Sequence, residues 1–541
     1  MTKPAPKFIA VPLIFATIQL TSISSQAQQF EPGYIDPYTI IEAATAAIGA
    51  DRLSCVSISG TAYSGMVGQQ HLNGYDIDWP RGAPLRNYSR IIDWQNVRML
   101  ETFDREPGNN PASWKYGLGW QGGTAIQQQT RQEFMLNGDF AWHKDGSNAN
   151  PVAAPTLDAE RWQLDMWLTP HGFLKAALLP GANPVASWRW ELGEMGRDGA
   201  TVSPEKVSII SITVMDKYRV DATVNSQNLL QRIHTWVPDP VLGDTNYEHE
   251  FSNDDYIDIG DGILFPTTWH HHTGWDDNYQ AQSINAGHNA FGGKQSDIQA
   301  NVCPGNLEIP SSVQGAQFET SVEIQSLADG VWLFGGASHN SVVIEFEDYI
   351  TVIEAPLSER RNLQVIDEIV RLIPDKPIRF LVNTHQHHDH IAGLRTYMHI
   401  GATIITHWKN YDFYTNDVLN YSPRTLMPDQ VSLWPPTELA EGYQYETVRE
   451  NYVLMDDSQR LHLSYVHPLN HVEGMLVAYL PDEKILIEAD LFNPGERQAV
   501  SAANRSLYTH VQRLNLEVNS VVPIHGQPVP WDDFLDFLGK N

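Results

Sequence analysis

The chain has 541 residues, 42% apolar and 18% charged, with 65 acidic against 35 basic side chains and a formal charge of −30. That length predicts two or three folded units, and 16 Trp among so many apolar residues exclude disorder as the main state. The acidic surplus is spread along the chain. It argues against a nucleic-acid partner, because phosphates are bound by surplus Lys and Arg, and against docking on an anionic membrane. Two cysteines, Cys55 and Cys303, are too few for a disulfide scaffold or a thiolate zinc site. The sequence leaves their pairing open.

In chain order, Lys3 and Lys7 flank the start of an apolar run from Phe8 to Ala16, and Ser25-Gln26-Ala27 supplies a small-x-small end. Residues 1–27 therefore read as a secretory signal peptide, with an apolar part too short to span a bilayer. The expectation is an exported protein, periplasmic or secreted, with no integral membrane segment after signal removal. An oxidising compartment would permit Cys55 and Cys303 to pair.

Residues 28–312 hold 12 of the 16 Trp and are rich in Gly, Asn and Pro. One helix is expected near Thr39–Ile48, where Ile40, Ile41, Ala44 and Ile48 recur at helical spacing. Tyr218–Val224 alternates polar and apolar residues, as does Leu230–Trp236 in part, and Pro238-Asp239-Pro240 and Gly260-Asp261-Gly262 read as turns. The region is expected to be a mainly antiparallel β domain whose Trp fill its core. His270-His271-His272 reads as a group of strand-end surface histidines. The run of long strands, from Asp221–Val237 into Gly262–Gly274, resembles the open half-barrels of periplasmic lipoprotein-carrier proteins, which would imply an apolar groove.

Asn301–Ser321 reads as a linker by its Pro, Gly, Ser and Gln. The pattern then changes to alternating strands and helices, so residues 313–541 are expected to form an α/β domain. Strands are expected at Val342–Phe346, Ile350–Ile353, Ile378–Val382 and Gly401–Thr406, with an amphipathic helix over Arg361–Ile373.

Strand Ile378–Val382 runs into Asn383-Thr384-His385-Gln386-His387-His388-Asp389-His390. Alternation puts His385 and His387 on one side of an extended chain, and a turn brings Asp389 and His390 toward a nearby position. Several imidazoles and a carboxylate competing for one space call for a cation. Imidazole and carboxylate suit zinc first, with iron or manganese as alternatives. The string H-x-H-x-D-H resembles the signature of the metallo-β-lactamase superfamily. Further residues fit that resemblance in order: His471 before Gly474, Asp490 after the strand Ile485-Leu486-Ile487, and His525-Gly526 near the C-terminus.

The resemblance implies an αββα sandwich over about Phe318–Asn541 and two divalent metal ions. It assigns His385, His387 and His471 to one ion, Asp389, His390 and His525 to the other, and Asp490 to both. It further implies a water activated between the ions, with Asp389 as the catalytic residue that orients it and takes its proton. Glu354 stands where the family usually has an Asp, Ala489 precedes Asp490 in place of Gly, and Ala392-Gly393 replaces Gly-Gly. None of these removes a ligand. His388 is expected to make a supporting hydrogen bond, His407 to be an ordinary loop residue or to line the site, and His467 to lie outside it.

The implied function is an exported metal-dependent hydrolase that cleaves an ester, lactone, thioester or amide. Its small-molecule substrate is expected to carry a bulky apolar or aromatic portion, which the Trp- and Tyr-rich region would wall in. One alternative is a β-lactamase, opposed by an Asp at the shared position where those enzymes carry Cys or Ser. Another is a ligand- or lipid-binding carrier with a vestigial hydrolase domain, opposed by the complete ligand set. No serine-hydrolase elbow, H-E-x-x-H or phosphate-binding loop is present.

Overall fold

The computed structural model describes residues 34–540, apart from 66–67, 71–80, 106–128, 147–148, 193–203, 253–254, 275–290, 319–320, 423, 436–442, 470 and 495–499. The expected leader, residues 1–27, lies outside the described residues. Among the described residues no helix is long and apolar enough to cross a membrane.

Thirteen strands of the N-terminal region form one open sheet, antiparallel wherever neighbours pair. The first strand, Cys55–Gly65, and the last, Phe291–Ala300, lie side by side at its middle. From the first strand the chain works outward to an edge at Val152–Ala153, then re-enters from the opposite edge at Val185–Leu192. Period-two alternation sets the faces: Tyr218, Val220, Ala222 and Val224 are buried, while Arg219 points outward. Gly60 sits at a register shift in both of its pairings, and a Cβ there would lie 2.1 Å from the Lys294 carbonyl oxygen. Only glycine fits that approach.

Three helices pack into the same core. Helix Pro37–Ile48 is capped by Asp36, whose side chain accepts from the Tyr38 N–H, and it buries Ile41, Ala44 and Ile48. Helices Thr156–Trp167 and Pro170–Ala176 add Leu164, Met166, Trp167, Phe173 and Leu174. The sequence reading saw only the first of the three. Cys55 and Cys303 form a disulfide that joins the start of the first strand to the chain just beyond the last one.

The expectation of surface histidines at 270–272 is overturned. Their strand, Thr268–Thr273, is interior to the sheet, and His271 and His272 are 6% and 8% exposed. The His271 ring stacks on His249 with centroids 3.6 Å apart.

The C-terminal region builds two further sheets. The first has seven strands, Glu323–Ala328, Val331–Gly335, Ser341–Glu345, Ile350–Ile353, Ile378–Val382, Thr403–His407 and Tyr445–Val448. Its first four strands pair antiparallel and its later ones parallel. The second has six strands, from Asn451–Met455 to Val529–Pro530. Val331, Leu333, Val342 and Ile344 of one sheet meet Leu461, Leu463, Leu476 and Ile487 of the other in a shared core. Helix Glu359–Leu372, capped by Ser358, covers the outer face of the first sheet through Val365 and Ile369. Helices Ala502–Leu514 and Trp531–Leu538 cover the second through Leu507, Val511 and Phe534. The layers run helix, sheet, sheet, helix.

Among the described residues the two regions meet around Val241 and around Gly68–Gln70. Val241 of the N-terminal region enters the core around helix Glu359–Leu372. Beside it Arg424 donates to the carbonyls of Pro240 and Val241, and the Asp244 carboxylate accepts from the N–H groups of Thr425 and Leu426. The second contact, Gly68–Gln70, reaches the histidine cluster.

Candidate metal centre

Strand ends bring the predicted residues together. His385 and His387 follow strand Ile378–Val382, and Asp389 and His390 lie in the short helical turn His388–Ile391. Asp490 follows strand Ile485–Glu488 at φ +60°, a left-handed conformation that Asp tolerates better than most residues, and His525 follows strand Ser520–Pro523. His471 lies between strands Arg460–Tyr465 and Leu476–Leu480. All seven converge at one edge of the sandwich.

Asp490 stands at the centre. Its Oδ2 lies 2.9 Å from His471 Nε2 and 3.4 Å from His385 Nε2. Its Oδ1 lies 2.8 Å from His525 Nε2 and 3.3 Å from His390 Nε2. Each oxygen thus faces a different group of imidazoles. His385, His387, His471 and Asp490 place one ligand atom each within 4.8 Å of one another, and so do His339, Asp389, His390 and His525. Four donors about 2.1 Å from a common ion lie up to about 4 Å apart, so each group fits a divalent cation with nitrogen and oxygen ligands.

His339, in the hairpin between Val331–Gly335 and Ser341–Glu345, is the member that the sequence reading missed. Its Nε2 is 3.1 Å from Asp389 Oδ2, and its ring centroid is 3.8 Å from that of His525. A lone His in a Gly- and Ser-rich hairpin carries no spacing signal. Only the sheet pairing brings it to the site.

Glu354 is fully buried at φ +73°. Its Oε1 accepts from the Thr384 N–H at 2.6 Å, and its Oε2 lies 2.8 Å from His390 Nδ1. With Nδ1 engaged there, His390 presents Nε2 to the site, and such outer carboxylates fix the tautomer of metal-binding histidines. The departure from the family pattern at 354 therefore keeps the loop tied to the histidine string.

Burial holds the His385 imidazole well below its ordinary pKa, aided by the neighbouring rings of His390 and His387. Burial likewise lowers His387, to about 4, against the pull of Asp490. For His390, burial is outweighed by the carboxylates of Asp490, Asp389 and Glu354, which raise it. Burial raises Asp490, but the surrounding imidazoles more than reverse this and keep it ionised. His385 and His387 are thus held in the neutral form that binds metal, whereas on His390 a metal ion would have to replace a proton.

The N-terminal region closes one side. Gln69 Nε2 donates to Asp389 Oδ1 at 2.8 Å, and His387 Nε2 lies 3.2 Å from the Gln70 carbonyl oxygen. The backbone N–H of His388 donates to the Gly68 carbonyl at 3.1 Å. A Cβ on Gly68 would come within 2.4 Å of the His388 ring, so a side chain there would push this segment off the site.

The other histidines fall elsewhere. His388 Nδ1 is 3.8 Å from Asp239 Oδ1, an electrostatic neighbour outside both donor groups. His407 Nε2 engages the Arg449 carbonyl at 2.9 Å, and the ring stacks on Tyr465. The His467 side chain is 42% exposed and lies near Glu450.

Fold and site together define a class, an αββα sandwich whose clustered imidazoles and carboxylates suit divalent metal ions. Residues 334–530 match the family model described as the metallo-beta-lactamase superfamily, and this C-terminal region belongs to it. A curated relative, the linear primary-alkylsulfatase of Pseudomonas sp. (strain ATCC 19151), is 23% identical over 228 residues. That match covers 35% of this chain and 41% of the relative. Among solved structures, the metallo-beta-lactamase from Pontibacter korlensis is 16% identical at TM-score 0.31, over 41% of this chain and 98% of its own. The metallo-beta-lactamase from Hirschia baltica is 16% identical at TM-score 0.29, over 40% of this chain and 95% of its own.

Proposed function

We propose that the protein is an exported hydrolase with a dinuclear metal site, acting on an ester, lactone, thioester or amide. Residues 1–27 would be its leader, 28–312 its β-rich domain and 313–541 its hydrolase domain. The observation that carries this reading is Asp490, whose two oxygens face two separate groups of imidazoles. His385, His387 and His471 would hold one ion, Asp389, His390 and His525 the other, and Asp490 both, with zinc the first candidate. Bound there, divalent ions supply Lewis acidity and lower the pKa of water toward neutrality.

The remaining work belongs to side chains. Gln69 holds Asp389 Oδ1 and His339 meets Oδ2, so the carboxylate that would take the proton of the attacking water is fixed from two sides. Glu354 keeps His390 turned inward, and Gly68–Gln70 narrows the access of bulk water. The relative's name places a sulfate ester among the esters to be tried.

Metal analysis with a substrate panel tests the reading: a carboxyl ester, a lactone, a thioester, a β-lactam and a primary alkyl sulfate. Two ions per chain and turnover of a non-lactam substrate are expected. Less than one ion per chain with no turnover would leave the carrier reading. Turnover of the β-lactam alone would make the protein a β-lactamase.

A further inference from the structure

The N-terminal domain holds a cavity of about 340 Å³ that the hydrolase reading does not use. It lies between helix Thr156–Trp167 and the sheet, with Arg161, Trp162 and Asp165 on one side and Arg90, Tyr247 and Phe291 on the other. Its size is that of a small-ligand pocket.

Its charges are unevenly satisfied. Glu101 accepts the Tyr88 hydroxyl at 2.5 Å, Asp165 accepts the Tyr247 hydroxyl at 2.7 Å, and Asp239 accepts the N–H groups of Val241 and Leu242. Burial pushes the Asp165 carboxyl up, against the pull of Arg161 and Arg90, and pushes the His271 imidazole well down. Arg161 lies over the Tyr247 ring, its guanidinium carbon 3.5 Å from the centroid. Its nearest carboxylate approach among the described residues is 3.9 Å, to Asp165, beyond hydrogen-bond distance. Contact with Tyr247 orders the guanidinium at the wall of the cavity that Arg161 lines. Arg90, buried across the cavity, adds a second fixed positive charge. A guanidinium in this state matches a planar or tetrahedral oxyanion.

We propose that this cavity is a binding site for a small organic anion, its oxyanion head on Arg161 and its flat apolar body between Trp162 and Phe291. The charged groups lining the cavity, not an apolar groove, set the ligand class. None of the cavity's lining residues belongs to the two donor groups of the metal centre, and Asp239, which lines it, lies 3.8 Å from His388.

Benzenesulfonate, a poor metal ligand, serves as the probe in titration calorimetry on the metal-loaded protein. Methyl phenyl sulfone supplies the same shape without charge. Benzenesulfonate should bind at least about tenfold tighter than the sulfone, and Arg161→Met should remove that preference while leaving metal content unchanged. Equal binding of the two probes, or an unchanged preference in the variant, would overturn the proposal. Should Arg161→Met fail to fold, crystals of the unaltered protein soaked in 4-bromobenzenesulfonate decide. A bromine peak between helix Thr156–Trp167 and the sheet supports the site. A peak only at the histidine cluster, or none, rejects it.

Discussion

Both halves of the molecule bury clusters of histidine, and the two clusters are built in opposite ways. In the N-terminal sheet His249 and His271 stack face to face, with centroids 3.6 Å apart and interplanar angle 12°. Stacked rings send their nitrogens outward in parallel planes, so the lone pairs cannot meet at one point. In the C-terminal sandwich the rings of His385, His387 and His471 are tilted by 69° to 76° to one another. Their nitrogens converge on a carboxylate. Burial alone makes a histidine neutral, and ring orientation decides whether a cluster of neutral histidines can hold an ion.

The largest effect should separate the two clusters outright. His385→Ala is expected to lose most bound metal and to lower kcat/KM by more than about a hundredfold, since even an outer partner of a metal ligand is worth 10–100-fold. His271→Gln should keep its metal. Elemental analysis of both variants checks this, and metal loss from His271→Gln would erase the contrast. Next comes Asp389→Asn, which keeps the shape and one ligand oxygen but cannot take a proton. Turnover should fall by roughly 10²-fold, the lower range for a lost acid–base group, with a much smaller fall in metal content. Parallel losses of both would make Asp389 a ligand only.

A smaller effect tests the reach of one half into the other. Gln69→Ala removes the hydrogen bond to Asp389 Oδ1, and a threefold to tenfold fall in kcat is expected, roughly the worth of one hydrogen bond to a charged group. Metal content should hold, and an unchanged kcat would show that the Gly68–Gln70 segment only packs there.

The smallest effect concerns acid stability. His171, buried between Trp94 and Phe265, is held down to about 3 by burial. Its folded pKa lies below the unfolded value of about 6.5, so its contribution is complete above pH 6.5 and is lost as pH falls from there toward 3. The slope in that window is at most about 1.4 kcal/mol per pH unit for one group. Denaturation of wild type and His171→Leu at pH 7 and pH 5 should show a smaller pH loss in the variant.

Much of this was legible in the residues. Strands Ile378–Val382 and Tyr218–Val224 have the expected bounds, because the first is an apolar run interrupted only by Arg379 and the second alternates with period two. The histidine string could be read because its spacing is local. His339 could not, since its only link to Asp389 is a hairpin placed by sheet pairing 50 residues away. The helix Thr156–Trp167 was missed because its Trp, Asp and Arg mix blurs the apolar stripe, and it folds by covering a sheet that sequence does not display. The buried position of His271 depends on neighbours on both sides of its strand, drawn from 243–251 and 291–300.

The first and last strands of the thirteen-stranded sheet are neighbours, so Cys55 and Cys303 close a ring of chain 248 residues in span. During synthesis the strand Cys55–Gly65 gains its second partner only after residue 300 has emerged, by which time both flanks of the sheet exist. Nascent chains would wait with two half-sheets, each showing an unpaired central edge, and such edges invite pairing between molecules. The order of strands therefore makes the closing of the seam, a contact of very high sequence separation, the natural slow step on the way to the native state.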